Sequence, residues 1–145
     1  MSIDEIAKTL IKSGNRLKGV SDAEIDHIEK EYLLKLPLTY KRFLSLMGRG
    51  AGKFMQGSSV FYNELFELKN GCEELISENH ITNFEHKNSF VFYMHQGYQC
   101  AYFICLTQTD PPVFFFSESE TTNGFYEKEP SLSSFFFNQF RMSYP

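Results

Sequence analysis

The sequence predicts an α+β domain: an N-terminal helical cap packed on an antiparallel β-meander and closed by a C-terminal helix. Three observations predict it. Apolar residues recur at helical spacing up to Met47. From Ser89 the period switches to short aromatic runs separated by turn residues. After Ser131 the helical spacing returns, so helices, strands and a last helix follow one another along the chain.

Each element has its own signal. Ile3, Ile6, Ala7, Leu10 and Ile11 mark a first helix that Gly14 stops, followed by a loop of Lys, Arg and Gly to Val20. Ser21 and Glu24 have the spacing of a capping box, and Ile25, Ile28 and Tyr32 line one face of the helix they open. Pro37 suits the first turn of a third helix, where its missing N–H costs nothing. That helix carries Tyr40, Phe43, Leu44 and Met47 and ends at Gly48. Short extended pieces are expected around Phe54 and Val60–Tyr62, then a helix from Asn70 to Glu78. Phe90–Met94 and Cys100–Leu106 read as a hairpin with Gly97 in its turn. Val113–Phe116 is a third strand beyond the Asp110-Pro111-Pro112 turn. Asn123-Gly124 signals another turn and Phe125-Tyr126 an edge strand. Ser131 caps a helix bearing Leu132, Phe135, Phe136 and Phe140.

At 145 residues and 42% apolar, the chain has the size and composition of one domain with a sizeable core, spanning 1–145. No run approaches a membrane span, so no membrane partner is expected. The acidic start Met1–Glu5 lacks the apolar stretch of a secretory signal. Three unpatterned cysteines suit a reducing compartment, and the expectation is a cytoplasmic protein.

Charge is polarised along the sequence. Residues 1–53 carry a balance of +3, residues 54–109 of −4 and residues 110–145 of −3. Between 110 and 130, Asp110, Glu118, Glu120, Glu127 and Glu129 are set against Lys128 alone. Such a segment either keeps a Phe-rich fold soluble or forms a docking surface for a basic partner. The acidic balance opposes direct nucleic-acid binding.

Catalytic and metal chemistry finds little support. The glycine cluster Gly48–Lys53 follows a helix instead of opening one and lacks the G-x-x-x-x-G-K-[ST] pattern of a phosphate loop. Cys100 and Cys105, five apart on a strand, point to opposite faces. Cys72 reads as a small buried hydrophobe. His27, His80, His86 and His95 show no ligand spacing, although His95 sits at the hairpin turn. No nucleophile elbow is present, and pairs such as Glu73-Glu74 read as surface charge. No enzyme, metal or cofactor is expected.

The order of motifs resembles the SUKH superfamily, in particular its Smi/Knr-type branch. The resemblance rests on Ile25-Asp26-His27-Ile28-Glu29, then Leu36-Pro37-Leu38-Thr39-Tyr40-Lys41-Arg42-Phe43-Leu44 with Gly48 and Gly50. It continues through Phe90-Val91-Phe92, His95-Gln96-Gly97-Tyr98, Asp110-Pro111-Pro112-Val113 and the Ser131–Phe136 helix. It implies a compact domain that acts by binding. Bacterial members are mostly immunity proteins that neutralise toxin domains, often nucleases, and a minority are intracellular regulators. It further implies structural roles for Leu36, Pro37, Tyr40 and Phe43 in the cap and for Gly97 and Pro111 in turns. Toxin contacts vary within the family and cannot be carried over by motif.

The combined expectation is an immunity protein that occludes a cognate, basic toxin domain, with a regulatory adaptor as the alternative. The docking face is expected over the segment Glu118–Glu129, using Glu118, Glu120, Glu127 and Glu129 with Tyr126 and Tyr98 as aromatic anchors. A second choice of face is Tyr62, Glu64 and Glu67. Leu36, Tyr40, Phe43 and Leu44 are expected to pack on the strands opposite Phe92 and Phe103.

Overall fold

A computed structural model describes residues 1–120 and 123–144. Helix α1 (Ile3–Lys12) is capped by Ser2, whose hydroxyl accepts from the Glu5 N–H. Helix α2 (Asp22–Tyr32) opens with the full capping box of Ser21 and Glu24. The Ser21 N–H and hydroxyl hold the Glu24 carboxyl below its ordinary pKa, with Arg49 adding to the effect. That contribution to stability is present at neutral pH and is lost as pH falls through the depressed pKa. Helix α3 (Leu38–Met47) starts one residue after Pro37, which occupies the N-cap position, and ends at Gly48 as expected.

The sheet is a meander in sequence order: β3 (Ser58–Ser59), β4 (Ser89–His95), β5 (Gln99–Ile104), β6 (Val113–Ser117) and β7 (Tyr126–Glu129), every neighbour antiparallel. Helix α6 (Leu132–Ser143) closes it, with Ser131 accepting from the Ser134 N–H. Cap helices and α6 cover one face. Tyr40 lies 5.1 Å from Phe103 and 6.1 Å from Phe92, ring centre to ring centre, and Phe43 stacks on Phe136 at 4.4 Å. Leu36, Tyr40, Phe43 and Leu44 are all buried, as the cap motif implies.

The second face is buried as well. Helix α5 (Leu68–Glu78) lies across it, and Phe84 packs on Tyr102 and Phe125. Gly71 lets α5 approach β4, because a Cβ there would meet the Met94 sulfur at 2.7 Å. The central strands are thus covered on both faces. This explains why β4 and β5 are apolar throughout instead of alternating.

Several local readings change. Leu17–Lys18, expected as loop, forms a short strand β1 antiparallel to β2 (Gly50–Ala51). The pairing joins segments about thirty residues apart, which local pattern cannot show. The same pairing places Gly50 of the glycine cluster in a strand, between the helix stop at Gly48 and a turn at Gly52, and the Arg49 N–H donates to the Lys18 carbonyl at 2.8 Å. Val60–Tyr62 is not a strand: the extended residues are Ser58 and Ser59, and Tyr62 begins the short helix α4 (Tyr62–Leu65). Helix α5 starts at Leu68 instead of Asn70, and the edge strand is Tyr126–Glu129 instead of Phe125-Tyr126. Ile11, read as part of the apolar face of α1, is 58% exposed.

Tyr40 poses an energetic question. It is fully buried among rings and its hydroxyl has no hydrogen-bond partner among the described residues. Burial raises its pKa well above the ordinary value. An unpaired buried hydroxyl costs about 1–3 kcal/mol. Tyr40→Phe is therefore expected to stabilise the fold by about 1 kcal/mol, read as a higher urea midpoint. A lower midpoint would show that the hydroxyl is satisfied in solution.

Candidate partner-binding surface

One end of the sheet collects the acidic and aromatic residues singled out in the sequence. The β4–β5 connection is a tight turn, with the Tyr98 N–H donating to the His95 carbonyl at 3.1 Å. Gln96 and Gly97 both take positive φ, 47° and 78°, the pattern of a type I′ turn. This turn lies beside the end of β6, because the Glu118 N–H donates to the Tyr98 carbonyl at 3.0 Å. Tyr98 and Glu118 are thus neighbours through backbone pairing. Ser117, just before, is buried, and its hydroxyl meets Ser119 at 2.7 Å and Gln99 at 3.4 Å.

From Glu118 the chain turns over the C-terminal end of α5. Asn79, the α5 C-cap, donates to the Glu118 carboxylate and to the Leu75 carbonyl, each at 2.9 Å. The Tyr126 hydroxyl donates to the Glu120 carboxylate at 2.7 Å. Burial, and then that carboxylate, push the Tyr126 phenol up to about 12. Asn83 braces the start of β7 by exchanging two hydrogen bonds with the Phe125 backbone. A cleft of about 330 Å³ results, lined by Asn79, His80, Phe116, Glu118, Glu120 and Gly124. Neither Glu118 nor Glu120 makes an ion pair among the described residues. Their negative charge is available to an incoming cation.

The six residues expected at the docking face are only partly assembled. Glu118 adjoins Tyr98 through the backbone and Glu120 holds the Tyr126 hydroxyl, and of the six only Glu118 and Glu120 line the cleft. Glu127 and Glu129 run down β7 away from it, at the level of Phe114 and Val113. Glu127 is exposed, whereas Glu129 accepts from Asn138 of α6 at 2.7 Å. Lys128, between them, sits over the Phe115 ring at 4.4 Å. Thr121 and Thr122, within the same segment, lie outside the described residues. The second-choice face is engaged internally: Arg49 lies over the Tyr62 ring at 4.8 Å, and Ser59 donates to Glu64 at 2.8 Å. Glu67 is exposed beside it.

The histidines and cysteines of the described residues lie apart from this cleft, His80 excepted. His80 and His86 are exposed, and His95 meets the Ser58 hydroxyl at 2.9 Å through Nδ1. Among the described residues no three His, Cys, Asp or Glu side chains come together as metal donors. Also among them, no helix is long and apolar enough to cross a membrane. The fold does pair two thiols that sequence spacing did not: Cys72 and Cys100 touch across the α5–β5 interface at 3.2 Å. The hydrogen bond to Cys72, and then burial, hold the Cys100 thiol far above its ordinary pKa, while burial pushes Cys105 up to about 12. Such thiols stay protonated and unreactive at neutral pH.

The cap motif also gains a member. Glu29, buried at the end of α2, accepts from the Leu36 N–H at 2.7 Å and faces Lys41 at 3.2 Å. It ties the Leu-Pro entry of α3 to the preceding helix. The family model described as SMI1/KNR4 family (SUKH-1) matches residues 19–138, from just before α2 into α6. The chain belongs to the SUKH-1 family. The matched span contains the whole cap motif, the meander and the acidic end of the sheet. Helix α1 precedes it, yet Ile3, Ile6 and Leu10 belong to the same buried cluster as the rest of this SUKH-1 core. No curated protein matches the chain significantly.

Proposed function

We propose that this SUKH-1 chain is a non-enzymatic immunity-type module that binds a cognate toxin domain through the acidic end of its sheet and blocks the toxin's substrate site. The observation carrying this reading is that Glu118 and Glu120 line one cleft with no ion-pair partner among the described residues, next to Tyr98 in the adjoining turn and to Tyr126, which bonds Glu120. A nuclease must hold phosphate and so presents a basic surface. An acidic face competes for that surface by imitating the substrate's charge. The aromatic rings add packing area of the kind that dominates binding energy.

The test is association with the product of the neighbouring gene. Glu118→Lys combined with Glu120→Lys is expected to slow association at least tenfold at low salt. The difference should fade as the Debye length contracts to about 8–10 Å near physiological ionic strength. An unchanged on-rate at low salt would make the acidic end a solubility device and sink this docking face. Failure of the unmodified chain to bind that product would sink the immunity reading itself.

A further inference from the structure

The opposite end of β4, six residues and about 20 Å along the strand from the acidic cluster, holds an unfinished sheet edge. Strand β3 pairs only with Met94 and His95, after which the chain leaves the sheet at Val60 to enter α4. The rest of β4 has β5 on one side and no strand on the other.

The direction of its backbone groups follows from register. The Cys105 N–H donates to the Asn88 carbonyl at 2.7 Å, so residues 88 and 105 form a hydrogen-bonded pair. Antiparallel alternation makes Phe90 and Phe103 the next such pair. Ser89 and Val91 then point their N–H and C=O groups away from β5, towards the side β3 has vacated. No hydrogen bond from these outward groups reaches another described residue. Val91 is nonetheless only 8% exposed. Val91 and Ser89 line a groove at this edge, where an added strand would supply the hydrogen bonds that the described residues leave unmade.

A groove runs along this edge. Its volume is about 290 Å³, and its walls are Tyr32 and Leu34 from the end of α2, Lys69 and Glu73 from α5, and Phe84. We infer that the Ser89–Val91 edge accepts an extended polypeptide segment of a partner as an added strand, continuing the line of β3, with one side chain seated between Tyr32 and Leu34. The commitment to an extended peptide comes from the donors and acceptors themselves. A row of outward N–H and C=O groups at strand spacing is matched in full only by another extended backbone. Tyr32, Leu34 and Phe84 among the lining residues suit an apolar side chain on that segment. This inference concerns a surface separate from the acidic end and stands whether or not that end docks a toxin.

A displayed library of random twelve-residue peptides, selected on the immobilised full chain, tests it. Selected peptides are expected to bind Val91→Pro at least tenfold more weakly, because proline removes the outward N–H at an edge position. Val91 also packs in the core, so a wild-type measurement accompanies the variant. In the peptide complex, amide hydrogen exchange at Ser89 and Val91 should slow at least tenfold. Failure to select any binder would overturn the inference. Selected binders that leave exchange at both amides unchanged would overturn it equally.

Discussion

Phe43→Ala is expected to cost about 3–5 kcal/mol of stability, the range for truncating a large core aromatic. Phe43 is fully buried and joins three elements at once. It stacks on Phe136 of α6 at 4.4 Å and 12°, and lies 6.1 Å from Tyr40 and 6.3 Å from Phe61. Phe136 is itself immobilised by Phe92 and Phe135, so the site has little freedom to collapse into the vacated volume. That places the cost towards the upper part of the range. Urea unfolding checks it, read as a lower midpoint with an unchanged slope. A loss below 1 kcal/mol would mean that α6 does not rest on the cap as described.

The residues that made the cap legible in the sequence are those whose periodicity and end signals agree. Ser21 with Glu24, and Tyr40, Phe43, Leu44 and Met47 at helical spacing, all say the same thing, and the structure places them so. The meander was legible for the same reason, since Gly97, Asp110-Pro111 and Asn123-Gly124 punctuate the aromatic runs. What pattern could not show depends on pairing between distant segments. The β1–β2 ladder has only two residues a side, too short for an alternation to register. Cys72 meets Cys100 only because Gly71 admits α5 to the sheet, and neither residue announces the other. The candidate surface was half legible. Charge counting found Glu118 and Glu120, but composition alone could not tell that β7 carries Glu127 and Glu129 away from them. Nor could it tell that Asn138 engages Glu129. The unpaired edge at Ser89 and Val91 leaves no trace in composition, because its hydrogen-bonding groups belong to the backbone.

Glu29→Ala is expected to destabilise the chain by about 2–3 kcal/mol, although the Glu29 side chain touches no residue of the proposed acidic docking face. Its carboxylate is buried and serves two partners, the Leu36 N–H at 2.7 Å and the Lys41 ammonium at 3.2 Å. Removing it strands the Leu36 N–H, which lies ahead of the Pro37 N-cap and so has no acceptor in the α3 ladder. The Lys41 side chain is 36% exposed and can turn to water, so the loss on that side is small. Two companion variants separate these contributions. Glu29→Gln keeps an oxygen that can accept from Leu36 and should recover more than half of the loss. Lys41→Met leaves the Leu36 bond intact and should cost less than about 1 kcal/mol. Urea midpoints for the three variants give the ordering. If Glu29→Ala falls within 0.5 kcal/mol of the parent chain, the Leu36 N–H is satisfied by water, and Glu29 is a surface-tolerant residue. If Lys41→Met instead matches Glu29→Ala, the ion pair and not the backbone hydrogen bond fixes the entry of α3. The link between α2 and the Leu-Pro motif would then be electrostatic and should weaken with added salt.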